Sequence, residues 1–205
     1  CMDDDNYRRN KETTHYKYGI IPSYISIVKL VNNLFFELES FVNIQKKIKL
    51  KNDKGKIEYR KLNSFFIDEI SDLMTNLIEG QYYDLQFMNL DLDIEILFKI
   101  NSRKTSPLFS LSFILGYILN IIYFEDYIIE FEILEELKKI GELFGLTFQL
   151  NDDIVDRDQD KKEGKYLNLS LHMGEKESIK FFNDKCHEFI SRLGKIGLND
   201  SNLHE

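Results

Sequence analysis

The stretch GLTFQLNDDIVDRDQD, residues 145–160, ends an apolar run in a dense cluster of aspartates. Five carboxylates fall within residues 152–160, and the first basic residue is Arg157. Like charges at helical spacing repel one another, so a folded chain tolerates this cluster where water solvates it or where cations neutralise it. The stretch therefore indicates either a solvated acidic helix end or a site for cations.

The spacing of these aspartates favours the cation site. Residues three and four apart share one face of a helix, so Asp152 and Asp156 are expected about 6 Å apart along the axis, with Asp153 beside them. Carboxylates so placed can hold Mg²⁺, which is commonly bound through one or two carboxylates together with substrate phosphate oxygens. Negative charge at a helix C-terminus opposes the helix dipole, which weakens the solvated-end interpretation.

Composition bounds the class of protein. With 205 residues, 43% of them hydrophobic, the chain is expected to form one domain, residues 1–205, with a sizeable core. The net charge of -8 argues against nucleic-acid binding, which needs an excess of basic residues. Cys1 and Cys186 make no disulfide framework, which favours a reducing compartment, with the cytoplasm as default.

The first residues, CMDDDNYRRNKETTH, contain neither an initiator methionine at the front nor a signal-peptide pattern. The chain is interpreted as a fragment, or as the ordered part of a longer protein. Organelle targeting by an upstream segment therefore stays open.

Helical periodicity dominates the chain, and no period-two alternation is long enough to predict a sheet, so the expected class is all-α. A polar loop or hairpin is expected at 46–61 and a polar turn at 158–166. Residues 107–124 carry no charge, and a buried central helix is preferred there over a membrane span. Helices are predicted from Pro22–Ser23, from an N-cap at Asn63 or Ser64, over 90–103, from about Thr105, over 127–157 and over 175–193.

A second acidic cluster at Asp3 to Asp5 is followed by Arg8 and Arg9. Together with the aspartates after residue 151, it suggests two acidic walls facing each other across a cavity. A guanidinium group matches two phosphate oxygens, so the arginines are candidate phosphate ligands.

Six motifs in order along the chain match one known family. The chain resembles the trans-type polyprenyl diphosphate synthases, and within them it looks most like the geranylgeranyl diphosphate synthases. The match covers most of the chain. The matching segments are MDDDNYRRNKETTH, HYKYGIIPS, EGQYYDL, RKTSPLFSLS, FQLNDDIVD and EGKYLNLSLH.

The resemblance implies the isoprenoid-synthase fold, an all-α bundle around a deep central cavity, usually as a homodimer. It implies a prenyltransferase that uses three Mg²⁺ ions. An allylic diphosphate loses pyrophosphate, the double bond of isopentenyl diphosphate attacks the resulting carbocation, and a proton is lost. The product is a longer trans-prenyl diphosphate, of farnesyl, geranylgeranyl or greater length.

The resemblance also assigns roles to residues. Asp3 closes the first aspartate-rich motif, and its leading pair would precede residue 1. Arg8 and Arg9 bind the allylic and isopentenyl diphosphates, and Lys165 adds a further cation, a role for which Lys161 and Lys162 also compete. Lys104 neutralises the leaving group, with Thr105 and Gln149 lining the reaction centre. The second metal-binding motif consists of Asp152, Asp153 and Asp156.

Departures from the family pattern leave alternatives open. Asn10 replaces the usual Gly after Arg-Arg, and Ser106 and Pro107 replace small residues. A divergent, non-catalytic or regulatory subunit of a heteromeric synthase is one alternative. A terpene cyclase on the same fold is another, although its second motif usually carries an Asn/Ser/Glu set. The family places Gly80, Gln81 and Asp84 near the allylic site, but this role is given little weight beside the interpretation as a helix interruption.

Overall fold

Helices make up most of the protein, as seen in a computed structural model that describes residues 6–8, 10–42, 47–51, 54–87, 90, 92–123 and 128–198. This confirms the predicted all-α class. The helices, in chain order, are α1 (Thr14–Tyr18), α2 (Ile20–Val42), α3 (Leu62–Phe87), α4 (Ile94–Tyr123), α5 (Phe131–Val155), α6 (Arg157–Glu163), α7 (Leu169–Met173) and α8 (Glu175–Lys195).

Short strands accompany the helices, although no sheet was expected from the sequence. The strands are β1 (Tyr7–Arg8), β2 (Lys11–Glu12), β3 (Lys47–Lys51), β4 (Ile57–Lys61) and β5 (Ile128–Glu130). The segment predicted as a loop or hairpin at 46–61 contains β3 and β4. β5 joins them in a sheet of order β4-β3-β5, in which Leu50 pairs with Ile129 in the parallel sense.

The chain divides into two compact units, residues 1–46 with 61–63 and residues 47–60 with 64–205. In the first unit, β1 and β2 form an antiparallel hairpin in which Arg8 pairs with Lys11. Asn10, in its turn, has a φ of 60°. Helices α1 and α2 follow, with Gly19 between them at a φ of 90°. The single domain expected from the sequence stays a prediction.

The core of the second unit lies where α4, α5, α7 and α8 pack. One cluster joins α5 to α8 through Ile140, Leu143, Phe189 and Leu193. A second joins α4, α5 and α7 through Leu97, Leu150 and Leu169. This second cluster lies beside the acidic end of α5. In the described part of the chain, no helix has the length and apolarity needed to cross a membrane.

Several predicted helix boundaries were wrong. Helix α2 begins at Ile20 rather than at Pro22–Ser23, and α3 begins at Leu62 rather than after a cap at Asn63 or Ser64. Leu62, only 2% exposed, directly follows β4, so burial rather than a polar cap accompanies this start. The helix expected over 127–157 begins at Phe131, and residues 128–130 form β5 instead.

A boundary at Lys104–Thr105 was also wrong, because α4 runs unbroken through Pro107. Proline lacks the N–H of an intrahelical hydrogen bond, which normally costs a helix about 3 kcal/mol. Pro107 is buried and is preceded by the buried Ser106, so side-chain packing outweighs this loss.

The polar turn expected at 158–166 contains the helix α6. Asp158 and Asp160 lie in its first turn, and Lys161 and Lys162 lie in its last, which suits the helix dipole at both ends. Gly164 ends it in the left-handed conformation. The final helix, expected over 175–193, agrees with α8 to within two residues.

Candidate active site

The C-terminal end of α5 carries two solvent-exposed carboxylates, Asp152 and Asp156. They are one turn apart, since the Asp156 N–H donates to the Asp152 carbonyl oxygen at 2.8 Å. Their expected shared face is therefore present. α6 begins at the next residue, and the positive end of its dipole lies beside this acidic turn.

Asp153 lies apart from these two carboxylates, because its side chain is buried and only 6% of the residue is exposed. Its Oδ1 accepts a hydrogen bond from Gln149 Nε2 at 2.9 Å, and its Oδ2 accepts one from the Leu169 N–H at 2.8 Å. Burial raises the pKa of Asp153 to about 6, although both hydrogen bonds act to lower it. The structure thus brings Asp152 and Asp156 together on the surface, and it turns Asp153 inward.

Thr105 of α4 and Gln149 of α5 lie side by side, as the predicted reaction centre requires. Thr105 Oγ1 donates to Gln149 Oε1 at 3.1 Å. The two helices approach closely here because Gly145 has no side chain: a Cβ at that position would lie 2.6 Å from Ser106 Cα. Ser106 also donates to the Glu142 carbonyl oxygen at 3.2 Å, so its hydroxyl fastens α4 to α5 beside Thr105.

Lys104 is held by an ion pair with Asp84 of α3, with Nζ and Oδ2 2.7 Å apart. Their side chains are 25% and 15% exposed, so the pair is partly desolvated. Gly80 allows this approach, because a Cβ there would lie 2.4 Å from the Lys104 backbone nitrogen. α3 continues through Gly80, so the helix-interruption interpretation of Gly80 and Gln81 was wrong. Asp84 is the charged partner that received too little weight.

Lys165 lies just after α6 and contacts two carboxylates. Its ammonium group is 2.9 Å from Glu163 and 3.2 Å from Asp160, and these contacts, the Glu163 hydrogen bond foremost, raise the pKa of Lys165. Asp160 also accepts a hydrogen bond from Asn168 Nδ2 at 2.9 Å, and the same nitrogen donates to the Asp153 carbonyl oxygen at 2.8 Å. Side-chain hydrogen bonds therefore connect Lys165 to α5.

The donor chemistry of this acidic turn fits a hard divalent cation. Magnesium prefers oxygen ligands and is often held by only one or two carboxylates, and Asp152 and Asp156 offer two on one exposed turn. Within the residues that the structure describes, no group of three or more acidic, histidine or cysteine side chains is arranged to hold a metal. The metal ligands remain a prediction, which the geometry supports for Asp152 and Asp156.

Three predicted site residues cannot be placed in this way. Asp3 and Arg9 lie outside the described residues, and for Arg8 the description is limited to its backbone in β1. The predicted roles of these three residues stay predictions.

One residue missed in the sequence analysis is Asn168, which caps α7 by accepting from the Leu171 N–H at 3.0 Å. An asparagine directly before the apolar LSLHM segment is a recognisable N-cap signal.

A cavity of about 220 Å³ lies along α4, α5 and α8, lined by residues that include Ser102, Glu142, Leu146 and Arg192. None of the predicted catalytic residues lines it. The deep central cavity implied by the resemblance therefore stays a prediction.

Comparison with known sequences gives one family and several relatives. Residues 1–170 match the family model described as Polyprenyl synthetase. The short chain isoprenyl diphosphate synthase of Methanocaldococcus jannaschii is 28% identical over 211 residues, covering 100% of this chain and 58% of the relative. The geranylgeranyl diphosphate synthase of Saccharolobus solfataricus is 30% identical over 177 residues, covering 85% of this chain and 47% of the relative.

Comparison with solved structures agrees on the fold. A Helicobacter pylori geranyltransferase, complexed with magnesium and isoprenyl diphosphate, is 23% identical and has a TM-score of 0.66, with 93% of this chain and 59% of that chain covered. The chain thus spans about half to three fifths of the length of the proteins it matches.

Proposed function

Since this chain belongs to the polyprenyl synthetase family, we propose that the protein is a magnesium-dependent prenyltransferase. It condenses an allylic diphosphate with isopentenyl diphosphate to give a longer trans-prenyl diphosphate of farnesyl, geranylgeranyl or greater length. The relatives named above are diphosphate synthases of this kind, and one structural neighbour holds magnesium with an isoprenyl diphosphate.

One observation carries the proposal: the hydrogen bond between Thr105 and Gln149, which lie 44 residues apart in sequence. It joins two separate motifs of the chain at one place. Gln149 lies one helical turn before Asp152 and Asp153 on α5, and Lys104 is the neighbour of Thr105 on α4. The packed helices α4 and α5 therefore carry the residue types that the reaction needs. α4 supplies the ammonium group of Lys104 and the hydroxyl of Thr105, and α5 supplies the Gln149 amide and the acidic turn.

These residue types suit the departure of pyrophosphate, which succeeds only if its developing negative charge is stabilised. Magnesium, when bound, neutralises phosphate oxygens and favours that departure. In the proposal, the metal ligands are Asp152 and Asp156, together with Asp3 of the first aspartate-rich motif. Lys104 and Lys165 face the leaving group, and Arg8 and Arg9 bind the two diphosphates.

Lys104 would exchange its ion pair with Asp84 for the diphosphate, and the side chains of Thr105 and Gln149 would direct oxygen dipoles at the allylic cation. The proposal extends to three Mg²⁺ ions, a homodimer and a cytoplasmic location, each of which continues the expectations from the sequence.

The test is an extension assay with the full-length protein, Mg²⁺, an allylic diphosphate and labelled isopentenyl diphosphate. We expect a longer labelled prenyl diphosphate, and its loss with Asp152→Ala. No extension with any allylic primer, from a folded protein, would overturn the proposal. Activity of a heteromeric complex that survives Asp152→Ala would identify a non-catalytic subunit, and release of a cyclic hydrocarbon would identify a cyclase.

A further inference from the structure

The environment of Asp153 differs from that of its two neighbours in the acidic cluster. Both of its carboxylate oxygens are engaged by protein donors, Gln149 Nε2 at 2.9 Å and the Leu169 N–H at 2.8 Å. The apolar cluster of Leu97, Leu150 and Leu169 packs beside it. Because the Asp153 side chain is buried, it would have to move toward the surface to reach a cation on the exposed turn of Asp152, and this movement would disturb both hydrogen bonds.

We propose that Asp153 is a positioning residue, which orients the Gln149 amide toward Thr105 and fastens the start of α7 to α5, and that it is not a direct metal ligand. This inference rests on the proposed function, because it assigns Asp153 a part in the same site.

The first step concerns the orientation of the Gln149 amide. An amide side chain has an acceptor end and a donor end, whereas an ionised carboxylate only accepts hydrogen bonds. Asp153 can therefore be satisfied only by Gln149 Nε2, which leaves Gln149 Oε1 for the Thr105 hydroxyl. Without that carboxylate, a flipped amide could direct its NH₂ group at Thr105, since a hydroxyl also accepts.

The second step concerns α7. The first N–H groups of a helix have no intrahelical partner. In α7, the Leu169 N–H donates a hydrogen bond to Asp153 Oδ2, and the Leu171 N–H donates one to Asn168 Oδ1. Asn168, 3% exposed, also donates to the Asp153 carbonyl oxygen.

The third step extends this connection to Lys165. Asn168 Nδ2 donates to Asp160 Oδ2, and Asp160 Oδ1 lies 3.2 Å from Lys165 Nζ. Hydrogen bonds and one ion pair thus run from Thr105 through Gln149, Asp153, Asn168 and Asp160 to Lys165. Asp153 links the hydroxyl of the reaction centre to one of the proposed diphosphate ligands.

The experiment compares Asp153→Asn with Asp152→Asn, two isosteric changes at adjacent positions of the full-length protein. Asparagine at 153 keeps the volume but places an NH₂ group against one of the two donors. We expect kcat to fall about 10- to 100-fold, because a misplaced catalytic group costs that much, while half-saturation by Mg²⁺ stays within about twofold. Asp152→Asn should instead raise the half-saturating Mg²⁺ concentration by about tenfold or more.

A second measurement is independent of catalysis. Amide hydrogen exchange at Leu169 should become about tenfold faster in Asp153→Asn, because a charge-assisted hydrogen bond is lost, and it should be unchanged in Asp152→Asn. The inference is overturned if Asp153→Asn shifts the Mg²⁺ dependence as far as Asp152→Asn does, or if Leu169 keeps its protection.

Two further outcomes keep the inference falsifiable. If Asp153→Asn does not fold, the unmodified protein provides the test. Mg²⁺ with pyrophosphate should leave exchange at Leu169 unchanged or slow it, because binding stabilises the folded state. Faster exchange would mean that Asp153 leaves Leu169 to reach the metal, which would overturn the inference. If the unmodified protein transfers no prenyl group, the proposed function fails by itself, and exchange in the two variants still decides whether Asp153 fastens α7.

Discussion

The ion pair between Lys104 and Asp84 connects the candidate site to α3. Asp84→Asn leaves the ammonium group partly buried without its 2.7 Å carboxylate partner. We expect this variant to lose about 1–3 kcal/mol of unfolding free energy, because breaking a desolvated pair costs more than the pair contributes. Denaturant titration measures this loss.

A matched control lies one turn away on the same two helices. Glu79 of α3 pairs with Arg103 of α4 at 2.8 Å, but the two side chains are 46% and 32% exposed. Glu79→Gln should cost less than about 1 kcal/mol, because solvent screens an exposed pair. Equal losses in the two variants would mean that Asp84 does not hold Lys104 in a desolvated contact.

Glu142 provides a prediction for pH. Burial, followed by the charge of Glu135, raises its pKa above 4.5, although Lys138, Lys139 and Arg192 act in the opposite direction. A group whose pKa is raised in the folded state contributes stability below its unfolded pKa, and this contribution is lost as pH rises through the folded pKa. Glu142→Gln should therefore gain stability relative to the parent as pH rises from about 4.5 toward neutrality.

The corresponding measurement is denaturant unfolding of both proteins between acid and neutral pH, with the exposed Glu58→Gln as control. The difference in unfolding free energy between Glu142→Gln and the parent should grow with pH, and it should exceed any change seen for the exposed Glu58→Gln. A difference that is flat, or that shrinks as pH rises, would contradict a raised pKa for Glu142.

At the residue scale, the types of site residue could be predicted from sequence, but their hydrogen-bond partners could not. The motifs identified Lys104, Thr105 and Gln149, whereas the inward turn of Asp153 depends on α7, which is distant in sequence. Asn10 is a favourable exception, because its φ of 60° belongs to the left-handed region that Gly and Asn adopt. The change from the family's usual Gly is therefore compatible with the turn between β1 and β2.

At the scale of elements, the contact of α4 with α5 depends on two pairs of small residues. Gly141 faces Ser110 and Gly145 faces Ser106, and a Cβ at either glycine would lie within 2.6 Å of a serine Cα. Gly141→Ala or Gly145→Ala should therefore destabilise the protein by about 1–3 kcal/mol, because the helices must separate. Thermal unfolding measures this effect, and Gly145→Ala should in addition weaken catalysis by displacing Thr105.

Gly116 of α4 is the matched control, since a Cβ there meets nothing within 4 Å. Gly116→Ala should stabilise the protein by about 0.5–1 kcal/mol, because alanine loses less backbone entropy than glycine in a helix. If all three alanine variants behave alike, close packing of α4 on α5 is not what the glycines provide.

Element boundaries show where local patterns stop being sufficient. α8 could be predicted because polar ends flank one periodic segment, and the lysine-rich 46–61 segment was compatible with the hairpin of β3 and β4. A break between two helices was expected at Lys104–Thr105, but α4 runs unbroken through this point and through the buried Pro107. β5 could not be predicted, because its three residues become a strand only by pairing with β3, which is far away in sequence.

At the scale of the whole molecule, the net charge of -8 and the acidic turn of α5 lead us to expect that the proposed binding of pyrophosphate depends on cations. Pyrophosphate alone should be repelled by Asp152 and Asp156, whereas a bound cation inverts the local field. The family fold could be predicted from six ordered motifs. The predicted role of Asp3 as a metal ligand in the first aspartate-rich motif stays a prediction, because Asp3 lies outside the described residues.

The final prediction follows from linkage between binding and folding. Mg²⁺ with pyrophosphate should raise the unfolding free energy by about 2.7 kcal/mol at a hundredfold excess over Kd, because only the folded protein forms the site. Thermal unfolding should show the gain with both components and lose it when EDTA removes the metal. Asp152→Asn combined with Asp156→Asn should abolish the gain, and Asp158→Asn, an exposed change in α6, should preserve it. A gain that survives the double substitution would remove these two carboxylates from the metal site.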